Sequence, residues 1–201
     1  MKQPNSFSTL HLSDHTLISH KDQQHDIMMI FFSGKNDFRN TISEMVEGLY
    51  NSYDELFRTF AEELYAKSNL KIKIMVPYQQ EISIPNQPGK TVKGWFEYDR
   101  VIKYWIPDGV SGEYITHLLN TYNRENDEKM MKFVENQINM FNNKQNVILS
   151  GFSQGGRYVS HILQRLQKKY PNNFKIGFAY MMLSFPVNIF KGENLKENET
   201  N

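Results

Sequence analysis

The chain has 201 residues, 39% of them apolar, with 23 basic and 22 acidic side chains for a net charge of +1. That length fits one domain and leaves little room for two, and so small a net charge gives no field to argue for a nucleic-acid partner or an anionic membrane. The absence of Cys excludes disulfides, thiolate nucleophiles and thiolate metal sites, and 13% aromatic residues at near-zero charge is the wrong composition for a disordered chain.

Read from the N-terminus, Met1–Asp26 predicts edge strands around Thr9–Leu12 and Thr16–Ser19. The first residues contain no apolar core of signal-peptide length. The longest dense apolar runs, Ile27–Phe32 and Phe178–Leu183, fall far short of the ~20 residues a membrane span needs. A cytoplasmic protein with no integral membrane segment is therefore expected. Ile27–Phe32 is continuously apolar, as expected of a strand covered on both faces, and ends in the turn-forming cluster Ser33-Gly34-Lys35-Asn36-Asp37.

From about Asn40 to Lys67, apolar residues at 42, 45, 46, 49, 56, 57, 60 and 64 trace a helical face. Lys71–Val76 predicts a second strand closed by Pro77, and Pro85, Pro88 and Gly89 predict a loop over 79–94. Two helical patterns follow between Ser111 and Asn143, the second with Met130, Val134, Ile138 and Phe141 as its buried stripe. Its charged start, Arg124–Lys132, reads as a solvated helix end, and the Met pairs 28–29, 130–131 and 181–182 read as core filler. Asn146–Ser150 predicts a third strand, Gln154–Lys169 a helix, and Phe174–Leu183 a fourth strand. Short apolar runs alternating with helical patterns predict an α/β fold, a mostly parallel sheet with helices on both faces. One domain is expected over 1–190, with a polar, disordered tail over 191–201.

The chemistry concentrates at Gly151-Phe152-Ser153-Gln154-Gly155, which fits G-x-S-x-G. The pattern alone is common. Here an apolar strand runs into it and an amphipathic helix runs out, the context a nucleophile elbow requires. The flanking glycines leave room for the close approach of strand and helix, and the helix N-terminus favours a developing oxyanion. The segment lacks the G-K-[ST] ending of a phosphate loop, and no His/Asp/Glu spacing suggests a metal.

Asn146–Gly156, with VILSGFSQGG as its core, resembles the elbow of the phospholipase/carboxylesterase family, which includes the acyl-protein thioesterases. Ile27–Phe32 with Ser33-Gly34 and Asp37 is similar to that family's strand into H-G-x-G-D, Ile74–Pro77 to its second-strand ending, and Gly94-Trp95-Phe96-Glu97 to its S-W-F-D. The matching stretches occur in order between residues 27 and 185. The resemblance implies an α/β-hydrolase fold and hydrolysis of acyl esters or thioesters, with a lipidated protein among the candidate substrates and no metal or organic cofactor. It assigns Ser153 as nucleophile, the backbone N–H groups of Gln154 and Lys35 as oxyanion donors, and Trp95 and Phe96 to the acyl-binding region.

Two departures accompany it. Ser33 stands where the family has His, and Asn36 where it has a second Gly. The triad order of this fold also requires an acid and then a His after the Ser. The 48 residues that follow Ser153 contain no Asp, three Glu in the polar tail, and one His, His161. His161 falls roughly 12 Å along the helix from the hydroxyl, too far to act as its base. The upstream His11, His15, His20, His25 and His117 read as solvated or packing residues, with His20 and His25 at the opposite end of the sheet. The expectation is thus a C-terminally shortened family member lacking the triad base and acid, with weak or no turnover. The alternative is a non-catalytic family member or truncated gene product that binds an acyl chain or a protein. Shortening also predicts an unprotected apolar edge along Phe174–Leu183, where two copies could pair as a homodimer.

Overall fold

A computed structural model describes residues 6–34, 53–83, 88–96, 124–171 and 176–182. Strands β1 (Phe7–His11), β2 (His15–His20), β3 (Ile27–Phe32) and β4 (Ile72–Pro77) join β7 (Val147–Phe152) and β8 (Phe178–Met182) in one sheet, and β5 (Gln80–Ser83) pairs with β6 (Thr91–Gly94) in a separate hairpin. The helices are α1 (Tyr53–Ser68), α2 (Arg124–Met140) and α3 (Gln154–Lys169), with a short 3₁₀ turn at Lys144–Asn146.

The sheet order is β1-β2-β4-β3-β7-β8. β4, β3, β7 and β8 run parallel, while β2 is antiparallel to both β1 and β4. The fold is α/β, with the mostly parallel sheet that was expected.

The period-2 alternation of strand side chains divides β3 between two cores. Met28, Ile30 and Phe32 join Met75, Val147 and Leu149 beneath α2 and α3. Met29 and Phe31 join Ile18, Ile72, Ile74 and Val76 beneath α1. Helices on opposite faces thus cover β3, which explains why its sequence is apolar without alternation.

Several expectations need correction. In α1 the buried line is Tyr53, Phe57 and Ala61, and Phe60, placed by the apolar count on the inward face, is 46% exposed. Residues 40–52 of that expected helix lie outside the described residues, as does the first of the two helical patterns after Ser111. The expected loop over 79–94 contains the β5–β6 hairpin, with Gly89 in its turn at φ 77°. Such a φ favours Gly because a Cβ there is strained. β5 and β6 have four residues each, too short for an alternation signal, and Ile82 anchors the hairpin at 2% exposure. β7 continues two residues past Ser150, up to the elbow, and β8 spans Phe178–Met182, residues 174, 175 and 183 of the expected strand lying outside the described residues. Residues 191–201, the expected tail, lie outside the described residues. Among the described residues, no helix is long and apolar enough to cross a membrane.

Candidate active site

β7 ends at Phe152, α3 begins at Gln154, and the chain turns through Ser153 at φ 52°, ψ −115°. For a residue with a Cβ this backbone region costs about 1–3 kcal/mol, and it persists only where the surroundings enforce it. Two glycines supply the enforcement. A Cβ on Gly151 would lie 2.5 Å from the Gly155 carbonyl group, and one on Gly155 would collide with the carbonyl of Phe32. The first turn of α3 is therefore pressed against both β7 and the end of β3. Ser153 is partly exposed, and its hydroxyl does not cap the N-terminus of α3.

The end of β3 lies beside this turn. A Cβ built on Gly34 would be 3.5 Å from Ser153 Cβ and 3.1 Å from the Phe152 ring. The Gly34 carbonyl accepts a hydrogen bond from the Gln79 carboxamide, and the Ser33 carbonyl accepts one from the Trp95 indole N–H at 2.7 Å. Backbone leading toward Lys35 is thus held by side chains from two other segments. Lys35 itself, with Asn36 and Asp37, lies outside the described residues.

Gln154 is buried, and its carboxamide bridges to the segment after β6. Its Oε1 accepts the Trp95 backbone N–H at 3.0 Å, and its Nε2 donates to the Phe96 carbonyl. Leaving either backbone group buried without a partner would cost about 1–3 kcal/mol. Trp95 and Phe96 are 3% and 1% exposed, members of the core beneath α3. The Trp95 ring stacks on Tyr158 at 5.1 Å and meets Phe32 edge-on at 5.1 Å. The structure therefore brings together Ser153, Gln154, Gly34, Trp95 and Phe96.

One buried cluster falls where a solvated helix start was expected. Asp127, inside the charged run Arg124–Lys132, is 2% exposed. Its carboxylate accepts from Tyr158 Oη at 2.7 Å, contacts His161 Nε2 at 3.2 Å and accepts from the Arg165 guanidinium, which also reaches Glu128 at 2.6 Å. Burial is the largest single influence on Asp127 and raises its pKa, but the bonds and charges of His161, Tyr158 and Arg165 together hold it below the ordinary value. Burial, and then Asp127, push the Tyr158 hydroxyl well above its usual range, so it stays a donor. Tyr158, His161 and Arg165 share a helix face by their spacing. Their common partner lies 31 to 38 residues away, with no local signal in the sequence.

His161 is therefore engaged below the elbow. His11 bonds Thr16 at 3.1 Å, and His15 and His20 each bond an Asp at 2.7 Å. His25 precedes β3, at the opposite end of the sheet, and His117 lies outside the described residues. Among the described residues, no group of three or more His, Asp or Glu could hold a metal ion.

No family model matches the chain. A search of curated proteins found no match. The chain is similar to the solved structure of Zea mays acyl-protein thioesterase 2, at 15% identity and TM-score 0.46 over 83% of this chain. A point variant of Arabidopsis thaliana SOBER1 is similar at 16% identity and TM-score 0.45 over 79% of this chain, and an esterase of the bacterial hormone-sensitive lipase family at 11% and 0.40 over 92%. The chain spans 60% of the length of the thioesterase structure and 61% of the SOBER1 variant. The α/β fold is defined by the sheet order and by the strand–turn–helix at Ser153.

Proposed function

We propose that this chain forms a single domain over 1–190 of a cytoplasmic serine hydrolase of the carboxylesterase or acyl-protein thioesterase type. Ser153 attacks the carbonyl carbon of an acyl ester or thioester, the acyl group passes to its oxygen, the alcohol or thiol leaves with a proton, and water then releases the acid. The backbone N–H groups of Gln154 and Lys35 receive the negative charge that develops on the carbonyl oxygen, a contribution of about 2.7–4 kcal/mol for each such donor. Trp95 and Phe96 belong to the acyl-binding region in this reading. Their burial and their bonds to Gln154 and Ser33 support a positioning role for them. A lipidated protein is one candidate substrate, and self-association along β8 is part of the same proposal.

The observation that carries the reading is the backbone of Ser153, held at φ 52° on a strand-to-helix turn beside Gly34. Nothing in a purely structural strand–helix connection calls for a Cβ-bearing residue at that φ, and Gly would adopt it more easily. A second reading draws on the residues after Ser153, where the one His, His161, is engaged with Asp127: a non-catalytic relative that binds an acyl chain or a protein. Without a base, only the roughly 10³–10⁴-fold acceleration of oxyanion hole and binding survives. A fluorophosphonate probe separates the two. The intact protein should be labelled at Ser153, as located by peptide mass mapping, and Ser153→Ala should abolish the label. A folded wild-type protein that stays unlabelled removes the enzyme reading.

A further inference from the structure

At the opposite ends of the parallel strands from Ser153, a cleft of about 550 Å³ lies where β3, β4 and β7 begin and α2 ends. His25, Asp26 and Met28 line it at the start of β3, Lys73 comes from β4, Gln137 from α2 and Asn146 from the turn before β7. The volume is within the range of small-molecule sites.

The polar chemistry of this cleft is incomplete. His25 Nε2 is shut off from solvent and has no hydrogen-bond partner, whereas buried polar atoms in native proteins are nearly always paired. Lys73 is half-buried, and its ammonium makes one long bond, 3.4 Å, to Gln137 Oε1. No described carboxylate pairs with Lys73, because the nearby acids are engaged elsewhere. Asp22 binds the Lys71 ammonium and sits 2.7 Å from His20 Nδ1, and Asp26 Oδ2 accepts the Lys71 backbone N–H at 2.8 Å. Burial lowers the pKa of Lys73. Burial, then the charge of Lys73 and to a lesser degree that of His20, lower that of His25 against the smaller opposing pull of Asp22 and Asp26. The cleft is thus lined by an ammonium with no carboxylate paired to it among the described residues and by an imidazole whose Nε2 has no partner, while its own carboxylate, Asp26, accepts the Lys71 backbone N–H.

We propose that the cleft binds the carboxylate or phosphate group of a small polar ligand, with Lys73 Nζ and His25 Nε2–H as its donors. One oxyanion supplies the acceptor missing at His25 and the counter-charge missing at Lys73. It also favours the protonated imidazole, so affinity rises as pH falls through the His25 titration. The site is independent of Ser153, on the other end of the sheet.

The test follows the His25 imidazole by NMR in the full chain while sodium acetate or inorganic phosphate is added, with ionic strength matched by chloride. A saturable shift of His25, with its pKa rising in the bound form and the other imidazoles unmoved, is expected from at least one probe. Response to acetate alone assigns a carboxylate ligand, to phosphate alone a phosphate, and to both their shared oxyanion chemistry. Lys73→Gln should weaken binding by about tenfold or more, as expected on losing a charge-assisted hydrogen bond, while Lys73→Arg stays within a few-fold of wild type. Ser153→Ala should bind as wild type, even if the hydrolase reading fails. A wild-type imidazole that responds to neither probe overturns the proposal by itself, as does unchanged binding in folded Lys73→Gln.

Discussion

At Ser153, a hydroxyl-bearing residue occupies backbone that glycine would take with less strain. Its φ of 52° separates two substitutions that remove the same oxygen. Ser153→Ala keeps a Cβ in the left-handed region, and Ser153→Gly removes it. Relief of that strain, offset by the greater freedom of Gly in the unfolded chain, should leave Ser153→Gly about 0.5–1 kcal/mol more stable than Ser153→Ala. Urea unfolding of the two variants measures the difference. Equal midpoints at equal slopes would mean that the turn holds no strain for Gly to relieve. Ser153 was legible because its surroundings are local: an apolar strand before it, an amphipathic helix after it, and glycines at 151 and 155. The carboxamide of Gln154 was not, because its partners at Trp95 and Phe96 are 59 and 58 residues distant.

Among the elements, α2 shows how a charge pattern can mislead. The stripe of Met130, Val134 and Ile138 was readable from its helical spacing and is buried. Asp127 sits in the same helix among charged neighbours and looks solvated, yet it is a buried junction between α2 and the Tyr158–His161–Arg165 face of α3. Such a carboxylate is identified only by what packs over it. Removing its charge by Asp127→Asn weakens the bonds from Arg165 and His161, while Arg165 keeps Glu128, and should cost about 1.5–3 kcal/mol at neutral pH. Because the folded-state pKa is lowered, this contribution is complete above the ordinary carboxylate pKa near 4 and is lost as pH falls through the folded value. The stability gap between wild type and Asp127→Asn should therefore hold from pH 7 to about pH 5 and narrow in stronger acid. Urea titrations across that range test this, and a gap undiminished at about pH 2 would remove Asp127 from the acid sensitivity of the fold.

In the whole molecule, stability should be graded outward from β3, which pairs in parallel with β4 and β7 near the middle of the sheet and has both faces covered by buried side chains of separate cores. Met28–Ile30 pair with β4 and β7 simultaneously. The β5–β6 hairpin is a two-stranded unit held by Ile82 and by the Gln154 bonds that follow it. A hairpin of that size is marginal alone, so its opening need not involve the sheet. Native-state hydrogen exchange should find the slowest amides in Met28–Ile30 and exchange at least about tenfold faster in the hairpin. The same measurement reaches the outer edge of the sheet. Among the described residues β8 pairs only with β7. If two copies of the chain associate along β8, its outward amides gain protection as protein concentration rises, while those of β3 do not change. Protection of β8 that is independent of concentration would remove the edge-to-edge dimer. Hairpin exchange as slow as that of β3 would instead make the Gln154 bridge part of one cooperative unit with the sheet.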